Sequence, residues 1–114
     1  MSFSYQKQNR LLKKDDFKKV LLNSFSSRGA FLKINYCFGT SNVPKLGLIV
    51  TRRFGNSVRR NNFKRKIREI FRTNKLFLRS NLEVIVLPQK AAKEASHQEL
   101  CRDFLSLIPS ISLQ

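Results

Sequence analysis

The sequence predicts an α+β fold. One domain over residues 1–114 holds a mixed sheet of roughly four strands and three helices, in the order helix, two or three strands, helix, strand, helix. Three observations carry this. Apolar residues recur at helical spacing in three separate stretches. The stretches between them alternate, or run apolar, over strand lengths. The chain has 114 residues, 41% of them hydrophobic and ten of them Phe, which is enough for one core and too apolar for a disordered chain.

Residues 14 to 24 read as a short helix. Leu11, Leu12, Phe17, Val20, Leu21 and Leu22 form its apolar side, and Lys18 and Lys19 lie outside. Asp15 and Asp16 near its start favour the positive end of the helix dipole, a role that accounts for them better than acid–base chemistry. Residues 31 to 38 alternate: Leu32, Ile34, Tyr36 and Phe38 point one way, Phe31, Lys33, Asn35 and Cys37 the other. Gly39-Thr40-Ser41-Asn42 is turn chemistry. A second strand covers 45 to 53, where Gly47 predicts a bulge or a close backbone approach. Gly55 then offers a sharp turn, Asn56 or Ser57 a helix cap, and Val58, Phe63, Ile67, Ile70 and Phe71 an apolar stripe on a helix over 57–73. That helix is roughly 25 Å long. Leu82 to Leu87 is another strand, closed by Pro88. Ser96 to Glu99 makes a capping box opening a last helix over 97–108, with Leu100, Cys101, Phe104, Leu105 and Ile108 on one side. The three prolines, at 44, 88 and 109, each mark an element boundary.

Charge separates the chain into regions. The whole carries +16. Residues 52 to 72, RRFGNSVRRNNFKRKIREIFR, hold nine Lys or Arg against Glu69 alone. Residues 80 to 114 hold three against four. The anion-binding work therefore sits in the first two thirds. A polyanion is the natural partner, nucleic acid ahead of a membrane surface or an acidic protein. On the helical wheel Asn61, Lys64, Arg65, Arg68 and Arg72 fall within a sector of about 100°, beside the apolar stripe rather than over it. The helix thus packs on a sheet and still presents an exposed cationic ridge. Arg suits phosphate because its planar fork reaches two oxygens. A solvated face paired with acids is the bland alternative, and the region's one acid weighs against it. Phe17, Phe31 and Tyr36 lie on a helix and a strand that would face one another, and exposed aromatics beside cations stack unpaired bases. Most of ten Phe, however, belong to a core.

Catalytic side chains are not apparent. His97 is the one histidine and lies in the first turn of an amphipathic helix. No His/Cys cluster has zinc spacing, no nucleophile has a partner set, and there is no glycine-rich phosphate loop. The acids are too scattered for a metal-dependent nuclease. Cys37 and Cys101 read as two buried, reduced thiols rather than a disulfide framework. Neither a signal-length apolar run nor a transmembrane stretch is present, and the expected location is cytoplasmic.

The segment LGLIVTRRFGNSVRRNNFKRKIREIF resembles the signature region of the bacterial ribonuclease P protein subunit. In that family a strand ends in two basic residues, here Arg52 and Arg53. A Gly turn follows, here Phe54-Gly55-Asn56, and then a helix that opens Arg-Asn-Arg, here Arg60, Asn61 and Asn62 with Lys64, Arg65 and Arg68. RLLKKDDFKKVL at 10–21, with Phe17, and LEVIVLPQKAA at 82–92 are similar to the family's start and final strand. Asn62 replaces the second Arg of the motif, a contact left to Arg59 or Lys66, and Leu21 replaces a common aromatic. The resemblance implies that an RNA subunit performs the chemistry with bound Mg2+, removing the 5′ leader from precursor tRNA. The protein itself would have no catalytic residue and no metal or cofactor ligand. It implies binding of the catalytic RNA through Arg52, Arg53, Arg59, Arg60, Asn61, Lys64, Arg65, Arg68 and Arg72. The single-stranded leader would lie in a cleft between the first helix and the sheet, with Phe17, Lys33 and Tyr36 as its residues. It also implies a left-handed βαβ crossover, against the usual hand. The alternative is a stand-alone ribosomal or ribosome-associated RNA-binding protein. An architectural DNA binder fits less well, and neither DNA nor membrane is an expected partner.

Overall fold

Five consecutive buried residues, Leu82 to Val86, mark the strand around which the chain is built. In the computed structural model, which describes residues 14–22, 24–39 and 42–108, this is β4, Leu82–Pro88. It follows α1 (Lys14–Leu22), β1 (Phe25–Arg28), β2 (Leu32–Phe38), β3 (Lys45–Leu48) and α2 (Ser57–Thr73), and precedes α3 (His97–Leu107). The sheet order is β1-β2-β4-β3. β4 pairs antiparallel with β2, Ile34 opposite Val86 and Tyr36 opposite Val84, and parallel with β3, Leu46 opposite Val84. The parallel pair requires a crossover, and α2 is that crossover.

A strand buried on both faces reads as a continuous apolar run rather than an alternation, which is why LEVIVL looks as it does. On one face Leu32, Ile34, Leu46, Val84 and Val86 meet Phe63, Ile67, Ile70 and Phe71 of α2 and Leu100 and Phe104 of α3. On the other, Val20 of α1 packs with Cys37 and Ile85, bordered by half-buried Phe17, Ile49 and Leu87. Lys19 Nζ reaches the buried Glu83 carboxylate at 3.3 Å and ties α1 to the sheet. No disulfide joins the two cysteines: Cys37 is buried, its thiol 3.9 Å from Glu83 Oε1, and Cys101 is half-buried rather than buried.

Several expectations shift. α1 stops at Leu22 instead of residue 24, and Leu21 and Leu22 are exposed rather than apolar-side packing. Leu11, Leu12, Thr40, Ser41 and Pro109 lie outside the described residues. The third strand is β1, a short segment with one apolar residue and therefore no alternation to read. The strand expected over 45–53 closes at Leu48, with one further bond from Ile49 N–H to the Val86 carbonyl. Arg52 and Arg53 instead enter a 3₁₀ turn, Arg52–Phe54. The register through Gly47 is unbroken, so there is no bulge there. Val58 is 65% exposed. It lies about 180° round the helix from Ile67, so it never belonged to the stripe.

Phe31 packs against the main core, on the same side as Leu32. The alternation does not extend back to it because the strand begins at Leu32, where a carboxylate captures the backbone. Asp103 of α3 accepts the N–H groups of Ala30, Phe31 and Leu32 at 3.1, 2.9 and 2.8 Å. Gln89 closes the same corner, its side chain donating to the Gly29 and Leu32 carbonyls and its N–H to the Phe31 carbonyl. The approach is so close that a Cβ on Gly29 would sit 2.2 Å from Asp103 Oδ1. Hydrogen bonds to a charged acceptor are worth about 1.5 to 3 kcal/mol each, and three on one carboxylate are not additive. Asp103→Ala is therefore expected to lower unfolding free energy by roughly 2 to 4 kcal/mol in denaturant titration, more than any single surface substitution on α2.

Candidate nucleic-acid interface

The basic helix begins where its first amide finds an acceptor. Asn56 is the cap, its Oδ1 accepting from Arg59 N–H at 2.9 Å. Gly55 precedes it with φ 159°, and a Cβ there would lie 2.9 Å from Arg59 Cδ, so a bare backbone lets the turn close on the helix. At the other end Asn74 returns its side-chain amide to the Ile70 carbonyl at 2.8 Å. Phe63, Ile67, Ile70 and Phe71 are buried, which fixes which side faces outward.

The predicted ridge is real but uneven. Arg52, Arg53, Arg59, Asn61 and Arg65 are exposed, whereas Arg60, Lys64, Arg68 and Arg72 are half-buried. Arg60 lies about 20° from Ile67 on the wheel, on the packed side. Its Nε donates to the Gly55 carbonyl at 3.1 Å and braces the turn. Arg72 is engaged with Glu69 through two hydrogen bonds, Nε to Oε1 at 3.0 Å and Nη2 to Oε2. The bond from Arg72 holds the Glu69 carboxyl below the usual carboxylate range. The one acid of the helix thus occupies one end of the ridge. Arg68 has no such bond at its Nε, which is enclosed without a hydrogen-bond partner.

A second cationic surface flanks the ridge. Arg59, Asn62 and Lys66 line a cavity of about 330 Å³ whose far wall carries Lys93. Arg53, Lys90 and Lys93 line an adjoining one of about 320 Å³, floored by Ile49, Phe54 and Leu87. Neither is lined by an acid among the described residues. Sequence reading missed Lys90 and Lys93 because they lie in a 3₁₀ turn, Lys90–Glu94, inside the least basic third of the chain. Only the fold brings them to α2.

The expected cleft residues separate. Phe17 and Lys33 belong to the α1 face of the sheet, where Lys33 shares its side with Asn35 and Cys37. Arg28, directly opposite Lys33 on β1, joins them and was not anticipated. Asn35 donates to Ser24 Oγ at 3.3 Å, and its Oδ1 is buried without a partner. Tyr36 belongs to the opposite face and packs against the main core. The reason is strand parity: a residue at an even position of β2 cannot share a side with Lys33. Among the described residues no three His, Cys, Asp or Glu side chains come together to hold a metal, and no helix is long and apolar enough to cross a membrane.

A mixed sheet carrying a capped basic crossover helix, with acid-free cationic cavities beside it, defines a small polyanion-binding α+β domain. The Ribonuclease P family model matches residues 5–112, and the chain belongs to that family. It is 31% identical over 103 residues to the ribonuclease P protein component of Pseudanabaena sp., covering 89% of each chain. Among solved structures, the RNase P protein of Thermotoga maritima aligns with a TM-score of 0.78 at 27% identity, covering 85% of this chain and 92% of that one. A mutant RNase P protein of Staphylococcus aureus aligns with 0.81 at 26% identity, covering 89% and 86%.

Two substitutions distinguish brace from ridge. Arg60→Ala removes the bond to the Gly55 carbonyl and should cost about 1 kcal/mol of stability. Arg65→Ala, fully on the outside, should stay within about 0.5 kcal/mol of the parent in the same denaturant titration.

Proposed function

We propose that this chain is the protein subunit of a ribonucleoprotein endoribonuclease that removes the 5′ leader from precursor tRNA. In this reading α2, the Arg52–Phe54 turn and the two adjoining cavities bind the catalytic RNA. The α1 face of the sheet holds the single-stranded leader. The observation that carries the reading is a cationic surface built on a packed helix whose one acid, Glu69, is engaged by Arg72, in a chain of this family.

Each residue's contribution follows from its setting. Arg65 and Lys64 offer charge to phosphates from the outer side of a helix that cannot rotate, since Phe63 and Ile67 are locked beneath them. Arg68 is half-buried and adds its charge to the field on the same side of the helix. Asn62, which replaces an Arg of the family motif, sits between Arg59 and Lys66 in one cavity, so the missing charge has neighbours at the same place. On the α1 face Phe17 gives an aromatic surface, with Leu21 one turn further and 47% exposed. Lys33 and Arg28, opposite one another on β2 and β1, give charge. Hydrolysis is assigned to the RNA subunit and the Mg2+ it holds; the described residues of this chain bring no donor set together for that ion. The chain's part is to bind, orient and neutralise.

Three outcomes test this. Purified, RNA-free protein should leave precursor tRNA uncut and, once the RNA subunit is added, lower the magnesium concentration that cleavage requires; cleavage by the protein alone would refute the assignment. Lys64→Ala or Arg65→Ala should reduce the log–log salt slope of catalytic-RNA binding by roughly 0.7 to 0.9 per lost phosphate contact. Phe17→Ala should weaken the holoenzyme's binding of precursor tRNA by about 1 kcal/mol, the low end for base stacking because Leu21 is no aromatic partner, and leave mature tRNA unaffected. Equal losses for both ligands would mean that Phe17 serves only the core.

A further inference from the structure

The face of the sheet opposite α1 is not fully covered. Asp103 anchors α3 at the Leu32 end of β2. At the other end three rings form a continuous row. Phe25 of β1 lies directly opposite Tyr36 of β2, with ring centroids 5.5 Å apart, and Tyr36 meets Phe38 edge-on at 5.9 Å. Phe25 is 63% exposed and Phe38 39%. The Arg79 guanidinium lies over the Phe38 ring, 5.4 Å from its centroid. Residues 24–39 and 75–82 contain no Asp or Glu. Arg79 follows the end of the basic helix by six residues, through a turn that contains Lys75.

We infer that Phe25, Tyr36 and Phe38, with Arg79, form a second stacking platform that takes unpaired nucleobases of the catalytic RNA. This rests on the RNA-binding reading above and extends it to a separate surface. Each part of the argument is physical. The rings are inclined to one another, Phe25 and Tyr36 by 34° and Tyr36 and Phe38 by 66°, so the row offers separate aromatic faces held in place by the sheet, and every base has a π-face to set against one. The Arg79 guanidinium over the Phe38 ring places a cation at the end of the row, suited to a phosphate. The adjoining acid, Glu83, is opposite Cys37 on the α1 side and is engaged by Lys19, so it does little to repel a polyanion from this face. The chain passes directly from the basic helix to Arg79, so an RNA segment on the ridge is led towards the platform. The leader is the wrong occupant, because its proposed cleft lies on the other side of the sheet.

The test uses the full chain and the RNA subunit. Phe25→Ser combined with Phe38→Ser should leave the protein folded, with a melting midpoint lowered only by the loss of the two ring contacts to Tyr36, and weaken catalytic-RNA binding roughly tenfold at fixed salt, as loss of a stacked base predicts. Tyr at both positions should restore affinity. The loss should be present whether or not precursor tRNA is added, unlike that of Phe17→Ala. In parallel, wild-type protein photo-crosslinked to 4-thiouridine-substituted catalytic RNA should carry adducts on the peptides containing Phe25 or Tyr36 to Phe38, a readout independent of how the variants fold. Parent-like affinity of the double Ser variant, or adducts confined to α2 and the α1 face, overturns the platform alone. Altered self-association without altered RNA affinity also overturns it and assigns the rings to a protein contact. If the wild-type protein does not bind the catalytic RNA, the broader functional reading fails with it.

Discussion

The parallel pairing of β3 with β4 governs the arrangement of everything else. Two adjacent parallel strands cannot be joined by a hairpin, so the chain must leave the sheet, cross its face and return. The crossing segment is the most basic in the molecule. Its apolar stripe, Phe63, Ile67, Ile70 and Phe71, packs on the sheet, and its cations are left on the remaining sides, some exposed and some half-buried. A basic peptide of this length in solution would be marginally helical and self-repelling. Here tertiary packing supplies the helix, the Asn56 cap fixes its start, and Arg60 ties its first turn to Gly55.

The acids show the same economy. Of seven in the chain, Asp103 captures the corner before β2, Glu83 holds Lys19 and with it α1, Glu99 completes the capping box of α3, and Glu69 engages Arg72. Negative charge is thus spent largely inside the scaffold, at helix termini and backbone corners. The surface cations near the cavities are correspondingly uncompensated. A protein organised this way should fold without its polyanion yet carry a strong outward field, which speeds encounter with nucleic acid and makes it salt-sensitive.

Much of this was legible in the residues. The bounds of α2, the capping box at Ser96 and the strand that starts at Leu82 follow from short-range rules of spacing and capping, and the structure agrees with each. What was not legible depended on contacts distant in sequence. β1 shows no alternation because it is an exposed edge of four residues. Phe31 departs from strand parity because a carboxylate more than seventy residues away holds its backbone. Lys90 and Lys93 join the basic surface only after β4 returns beside β3. The grouping of Tyr36 with Phe17 failed for another reason: proximity was judged by composition where strand parity decides.

That parity has a consequence for how the chain tolerates change. Along β2, Lys33 and Asn35 face α1, while Tyr36 and Phe38 look the other way, so two unlike surfaces are interleaved residue by residue on one ribbon. Sheet hydrogen bonding is indifferent to side chains and would survive a shift of one position, yet such a slip would exchange the two surfaces wholesale and drive Lys33 towards the packed core. The carboxylate and amide that grip residues 29 to 32 therefore act as a phase lock. They set which half of the strand's alphabet is read from which side. An inserted residue just before Leu32 would scramble both faces at once, whereas the same insertion among residues 39 to 44 would leave the phase of β2 untouched.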